Sequence, residues 1–227
     1  SLPSMQKSYK YSMKPLLEER MKKLLTNEED YKKFSEIIHT PPLGFIRCNT
    51  LKISPQELMG KLNKKNWSPQ QPYPNHPEII LIESNLLPGE LGNALEHQLG
   101  YFYIQEISSM MPVIALDPQP GEFVLDLCAS PGSKTTQLAA KMENKGTIIA
   151  NDLKIERIMI LASNLERCGV TNTVVTKNDA IGFCSQFAQS GFKFDKILLD
   201  VPCTGEGTLR SNPKLFVQWN YKIINKL

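Results

Sequence analysis

The sequence predicts an α/β protein, a doubly wound parallel sheet preceded by a small α+β unit, and three observations carry that reading. From Gly121 onward, short β-branched and aliphatic runs alternate with amphipathic stretches, the order of parallel strands joined by crossover helices. Each of the four runs ends in a polar or conformationally special residue. Ahead of Gly121 the succession is helix, strand, helix, loop, strand, with a proline-dense break.

Taken in order, Met13 to His39 places Leu16, Leu17, Met21, Leu24, Leu25, Tyr31, Phe34, Ile37 and Ile38 mostly three and four apart, with Asn27 interrupting, which predicts two short amphipathic helices. Pro41-Pro42 ends them, and Gly44 to Leu51 alternates as a strand. In Ser54-Pro55-Gln56-Glu57 a hydroxyl caps a helix, proline takes its first position and glutamate reaches back to the cap, so a helix runs to about Leu62. Ser68 to Pro77 is too rich in proline for a ladder or a helix interior and reads as a loop, followed by a strand at Ile79–Ile82. Beyond Gly121 the expected elements are strand 123–127, helix 133–142, strand 147–150, helix 154–168 ended by Gly169, strand 173–176, helix 180–189 and strand 196–199. The expected division is an α+β unit at 1–110 and an α/β domain at 111–227.

With 227 residues, 41% hydrophobic and 22% charged, the chain has apolar material for one ordinary core and an appended unit, which excludes disordered, collagen-like and coiled-coil classes. No stretch approaches the ~18 apolar residues of a membrane span and no secretory signal opens the sequence, so an intracellular protein without a membrane partner is expected. Of the 26 basic residues, Lys7, Lys10 and Lys14 stand unopposed in residues 1–14, and the rest balances at 23 basic against 23 acidic. That arm reads either as a solvated terminus or as a contact for an anionic partner. Cys48, Cys128, Cys168, Cys184 and Cys203 have no zinc-type spacing and His39, His76 and His97 are scattered, so no metal and no disulfide framework are expected.

The chemistry gathers at the carboxyl ends of the four strands, where doubly wound sheets bind ligands. They carry Cys128-Ala129-Ser130-Pro131-Gly132-Ser133-Lys134, then Asn151-Asp152, Asn178-Asp179 and Asp200-Val201-Pro202-Cys203. Asp152 or Asp179 alone reads first as a helix cap, but the four ends together point to a nucleoside cofactor. A glycine turn opening a helix lets backbone N–H groups approach a ligand, and an acid about 25 residues on is placed to grip a ribose diol. Between Asp126 and Lys134 there is one glycine, Gly132, where a pyrophosphate-binding turn needs three. A cofactor with ribose and adenine but no pyrophosphate fits better, and S-adenosylmethionine is the candidate.

Asp126-Leu-Cys-Ala-Ser-Pro-Gly-Ser-Lys-Thr-Thr136 and Leu199-Asp-Val-Pro-Cys-Thr-Gly-Glu-Gly207 closely resemble two signature motifs of the NOP/Sun (NSUN) family of RNA cytosine-5 methyltransferases. The resemblance runs from about Phe45 to Trp219, with Ser130 and Ser133 in place of the family's usual Ala and Gly. Arg47-Cys-Asn-Thr-Leu-Lys52 and Gln105-Glu-Ile-Ser-Ser-Met110 are similar to the family's N-terminal RNA-binding subdomain and its junction with the catalytic domain. The resemblance implies a Rossmann-like methyltransferase domain at 111–227, a small RNA-docking unit at 1–110, an RNA partner (ribosomal or transfer), a monomer, and a nuclear, nucleolar or cytoplasmic compartment. By resemblance, Cys128 to Lys134 wrap the methionine part of the cofactor, Asp152 holds the ribose, Asp179 lies beside the adenine, and Asp200 sits where cofactor and base meet.

Carbon 5 of cytosine is a poor nucleophile, and addition of a thiolate to carbon 6 activates it. In the family a Thr-Cys pair after a later strand supplies that thiolate, and the Pro-Cys cysteine, here Cys203, assists product release. No Thr-Cys pair occurs in these 227 residues. The domain is therefore expected to be incomplete at its C-terminus, and this chain alone is expected not to methylate by the two-cysteine route. The rival readings are a non-catalytic RNA-binding or assembly protein that keeps the fold, and a methyltransferase for another substrate. Lys61, Lys64, Lys65 and Trp67 read equally as an RNA-facing patch or as a solvated helix end with a partly buried indole.

Overall fold

The structure, a computed structural model, describes residues 12–40, 42–84 and 86–220. Lys7 and Lys10 of the basic arm lie outside the described residues. Packing divides the rest into two units, residues 43–201 and the residues up to 42 together with those from 202 on.

In the smaller unit, α1 (Pro15–Leu24) and α2 (Glu28–Ile37) are the two helices that the apolar spacing predicts. Asn27, the interruption, is the N-cap of α2, its side-chain oxygen accepting from the Glu29 N–H at 2.9 Å. Leu17, Met21 and Ile38 are buried with Leu209, Phe216 and Trp219, on and beside a short helix Leu215–Gln218 (α10). Glu206, in the 3-10 turn Glu206–Thr208, accepts from Arg20 at 2.7 Å and from the Trp219 indole at 2.9 Å, closing the edge of this cluster.

The larger unit opens with an antiparallel sheet of β1 (Gly44–Cys48), β2 (Pro69–Gln70), β3 (Ile79–Ile82) and β4 (Phe102–Ile104) in the order β2-β3-β1-β4. Alternation predicts one buried face for β1, yet Phe45, Ile46, Arg47 and Cys48 are all buried. Ile46 and Cys48 pack with Ile80 and Phe102 on one face, while Phe45 packs with Ile79 and Met110 on the other, so the sheet is covered twice. Helix α3 (Pro55–Asn63) starts with the reciprocal Ser54–Glu57 capping box read from the sequence and seats Leu58 and Leu62 in the first of these clusters. The proline-dense segment is not wholly a loop: Pro69 and Gln70 pair with Ile82 and Leu81 at the sheet edge, where a missing ladder donor is tolerated.

In the larger unit three helices escape the sequence reading, as α10 does in the smaller one: α4 (Glu90–Asn93), α5 (Leu95–Gln98) and α6 (Ile107–Leu116). The first two are single turns. Helix α6 is apolar nearly all round and contains Pro112, so no amphipathic period marks it. The boundary expected at residue 110 falls inside it, within the 43–201 unit.

The second sheet is parallel throughout, formed by β5 (Phe123–Asp126), β6 (Thr147–Asp152), β7 (Thr173–Lys177) and β8 (Lys196–Leu198) in the order β7-β6-β5-β8. The connecting helices are α7 (Ser133–Lys141), α8 (Ile155–Cys168, ended by Gly169 at φ +71°) and α9 (Ala180–Ser190). Leu138 and Ala139 of α7, with Met142 at its C-cap, pack on Val124, Ile148 and Leu198, and Leu161 and Leu165 of α8 pack on Ala150. Phe183 and Phe187 of α9 cover Leu125, Leu127 and Ile149. Because β5 lies between β6 and β8, the strand order reverses there, which opens a crevice at the carboxyl ends.

The two sheets are tied at the end of α8. Asn49 Nδ2 donates to the carbonyls of Gly100 and Cys168, both at 2.8 Å, and Lys52 Nζ donates to Leu99 O at 3.0 Å and Arg167 O at 2.7 Å. These bonds satisfy carbonyls that the last helical turn leaves over. Gly100, at φ +73°, approaches so closely that a Cβ there would lie 1.9 Å from the Arg167 carbonyl oxygen.

Candidate functional site

The turn after β5 is held from several sides. The Ala129 N–H donates to Asn151 O at 2.8 Å, the Gly132 N–H to Ala129 O at 2.8 Å, and Asn164 Nδ2 of α8 to Pro131 O at 2.9 Å. The Ser130-Pro131 peptide is cis. Gly132 caps α7 at φ +102°, and a Cβ there would press on Leu161 Cδ1 at 3.1 Å, so both the backbone angle and the space call for glycine.

Asp152, 5% exposed at the end of β6, is bound to that turn. Both its carboxylate oxygens accept from Arg157 Nε at 3.1 Å, and one accepts from the Ser130 N–H at 3.3 Å. Arg157 Nη2 donates onward to Ser130 O at 2.7 Å. Arg157 thus clamps the acid to the turn. Asn151 uses both its donors and both acceptor sites, giving to Leu127 O and Asn178 O and receiving from Thr176 Oγ1 and the Asn178 N–H. The ends of β5, β6 and β7 are thereby locked together. Asp179 caps α9, accepting from the Gly182 N–H at 3.0 Å.

Across the switch point, Lys134 Nζ lies 2.6 Å from Asp200 Oδ2 and 3.1 Å from Ser109 Oγ. Asp126 is buried behind them. It accepts from Thr135 Oγ1 at 2.8 Å on one oxygen, while its Oδ1 is buried without a partner among the described residues. Nothing in the pattern of residue types marked this orphan, because strand-end acids are common. Burial, and then the Asp126, Asp152 and Asp200 carboxylates, push the half-buried Cys128 thiol up, so the turn sits in a negative field. Cys203 is exposed in an irregular segment and belongs with the smaller unit, whose second segment begins at Pro202.

Burial, with a smaller push from Asp200, raises the Asp126 carboxyl to about 6. The folded chain therefore holds this proton more tightly than the unfolded one. The resulting stability is complete below pH ~4 and is lost as pH rises through ~6, a swing of about 3 kcal/mol. Asp126→Asn keeps an acceptor for Thr135 and should remove that part of the pH dependence. Denaturant midpoints of both proteins between pH 4 and 8 measure it, and identical profiles would refute the assignment.

Other expected residues are placed elsewhere. Arg47 and Gln105, within motifs similar to an RNA-binding subdomain and its junction, are 2% and 4% exposed. Trp67 is buried under Lys65, which pairs with Glu96 at 2.8 Å, so this end of α3 is engaged within the chain. Cys48 ends β1 and is buried, with its thiol pushed up to about 12 by burial, whereas Cys184 is exposed. Among the described residues no group of His, Cys, Asp and Glu is arranged to hold a metal ion, and no helix is long and apolar enough to cross a membrane.

A family model described as 16S rRNA methyltransferase RsmB/F matches residues 113–227, and one described as the N-terminal domain of 16S rRNA methyltransferase RsmF matches residues 15–107. The ribosomal RNA small subunit methyltransferase F of Vibrio cholerae serotype O1 (strain M66-2) is 39% identical over 210 residues, 91% of this chain and 43% of that protein. Its counterpart from Enterobacter sp. (strain 638) is 41% identical over 207 residues, 88% of this chain and 42% of the relative. The chain thus spans less than half the length of these relatives. Among solved structures, NSun6 from Pyrococcus horikoshii with SFG superposes at a TM-score of 0.81 and 25% identity, covering 96% of this chain and 77% of that one. A methyltransferase homolog protein from the same organism gives 0.68 at 34% identity, over 87% and 66%. The fold is the Rossmann-like α/β fold of methyltransferases.

Proposed function

Because the chain belongs to the 16S rRNA methyltransferase RsmB/F family, we propose that it binds S-adenosylmethionine at the β5–β8 crevice and serves methylation of carbon 5 of a cytosine in small-subunit ribosomal RNA. The observation that carries this reading is Asp152, buried at the end of β6 with its carboxylate fastened to the turn after β5. That arrangement suits a ribose beside a glycine turn. The relatives from V. cholerae and Enterobacter are named for the ribosomal small subunit, which favours ribosomal over transfer RNA, and they are bacterial, which favours cytoplasm over nucleus. The neighbour NSun6 holds the cofactor analogue SFG.

The residues suit that cofactor. Bound, it supplies an electrophilic methyl group on a sulfonium centre and carries an ammonium and a carboxylate. Asp126 Oδ1 is buried without a hydrogen-bond partner among the described residues, and Asp152 and Asp200 add to the negative field that a sulfonium and an ammonium would neutralise. In this reading Cys128, Ala129, Ser130, Pro131, Gly132, Ser133 and Lys134 enclose the amino-acid part, Asp152 takes the ribose hydroxyls and Asp179 lies by the adenine. Lys134 holds the Asp200 carboxylate oriented at the edge of the crevice, where the target base would meet the cofactor. Cys203 acts in product release, and residues 1–110 dock the RNA. Attack on carbon 6 falls to the family's Thr-Cys pair, which these residues do not include.

Two measurements test the proposal. Calorimetry with S-adenosylhomocysteine should show one site per chain, and no binding would overturn the cofactor assignment. The native polypeptide should release tritium from [5-3H]cytosine-labelled small-subunit RNA when S-adenosylmethionine is added, whereas RNA binding without release would identify the assembly-protein rival.

A further inference from the structure

We propose that Arg47, on the antiparallel sheet, is a positioning residue for the cofactor turn, and that its charge forms the positive field which the cofactor's carboxylate meets. The inference rests on the cofactor reading above. Arg47 leaves β1 and ends at the start of α7: Nη1 donates to Ser133 O at 2.6 Å and to Gln105 Oε1 at 2.5 Å, and Nη2 donates to Thr136 Oγ1 at 2.8 Å. Thr136 Oγ1 donates in turn to the carbonyl of Gly132 at 2.8 Å. Gln105 Nε2 reaches Gln137 Oε1 at 3.2 Å, and Gln137 Nε2 donates to Met110 O at 3.1 Å. The first turns of α7 are thus fixed by a buried network that originates in the other sheet.

Electrostatics argues that this is more than a brace. The three hydrogen-bond acceptors on Arg47 are neutral and its Nε is buried without a partner among the described residues, so that the Tyr103 ring 5.6 Å from the guanidinium and the attraction of the Glu78 carboxylate offset only part of the burial. The cation also lies at the N-terminal end of α7, where the helix dipole is already positive. Burying a charge there is unfavourable on its own, and a neutral donor would serve a purely structural tie better. The arrangement becomes favourable once an anion occupies the turn, and in the cofactor that anion is the amino-acid carboxylate. Negative groups at Asp126, Asp152 and Asp200 and positive ones at Arg47 and the α7 N-terminus give the turn both halves of a match to a zwitterion.

The test compares S-adenosylhomocysteine with methylthioadenosine, a nucleoside thioether that lacks the amino-acid part. Calorimetry on wild type, Arg47→Met, Arg47→Lys and Lys52→Met supplies the readout. Arg47→Met should weaken S-adenosylhomocysteine 10-fold or more and change methylthioadenosine less than threefold. Arg47→Lys, which keeps the charge but not the fork, should lose about fivefold for the first ligand alone, and it decides the matter if the Met variant does not fold. Lys52→Met removes two bonds of the same sheet-to-sheet junction and should leave both affinities within twofold. Equal losses of both ligands, or no loss in either Arg47 variant, would overturn the inference and leave the cofactor reading standing. A wild-type chain that binds neither ligand would overturn both.

Discussion

Gly100→Ala is expected to cost the chain more than about 4 kcal/mol, enough to unfold a domain of ordinary stability under mild denaturant. Two effects add. Alanine at φ +73° is strained by about 1–2 kcal/mol. Its Cβ would also lie 1.9 Å from Arg167 O and 2.8 Å from the Arg167 carbonyl carbon, and these are backbone atoms that no side-chain rotation can clear. Moving them pulls apart the bonds from Asn49 and Lys52 to the last turn of α8. Gly121→Ala is the matched control, since φ there is +95° and a Cβ would meet nothing within 4 Å, so only the strain applies. Denaturant unfolding of both variants measures the difference, and equal losses would show that the contact with α8 carries no energy.

Asp152→Asn should lower affinity for S-adenosylhomocysteine about 100-fold, the loss of charge-assisted hydrogen bonds worth about 3 kcal/mol. The substitution keeps an acceptor for the Ser130 N–H but turns an amide toward Arg157. The Arg157 side chain is 48% exposed, so solvent screens the lost pair and the melting temperature should fall by only a few degrees. Asp179→Asn gives the contrast: asparagine caps a helix as well as aspartate, so α9 keeps its start and stability should not change. An Asp152→Asn chain that binds within threefold of wild type would remove Asp152 from the ribose and leave it a structural clamp.

The parallel sheet was legible because each of its signals is local. The runs at 123–126, 147–152, 173–177 and 196–198 are short and aliphatic, their helices carry amphipathic periods, and Gly169 stops α8 by its own φ. Ser54 and Glu57 announced α3 for the same reason, since a capping box spans four residues. Helix α6 was not legible, because a segment that is apolar nearly all round, with a proline inside it, has no polar face to set a period. The candidate site was legible as a set of strand ends, but its partnerships were not. The clamp of Arg157 on Asp152 and the orphaned oxygen of Asp126 depend on which side chains the packing leaves within 3 Å of one another.

Arg47 marks the limit most clearly. On sequence it belongs to a basic motif that resembles an RNA-binding subdomain, and an arginine on a short strand has every reason to face an anionic partner. The fold covers both faces of that strand and turns the guanidinium inward to Ser133 and Thr136, 86 and 89 residues away. By itself the sequence determined the order of strands and helices, the glycine turn and the acids that follow each strand, because backbone angles, caps and hydrophobic periods act over a few neighbours. Only the tertiary structure decided which of the polar residues are buried against each other and which remain free for a ligand. That choice follows from close packing between segments far apart in the chain, and no local preference contains it.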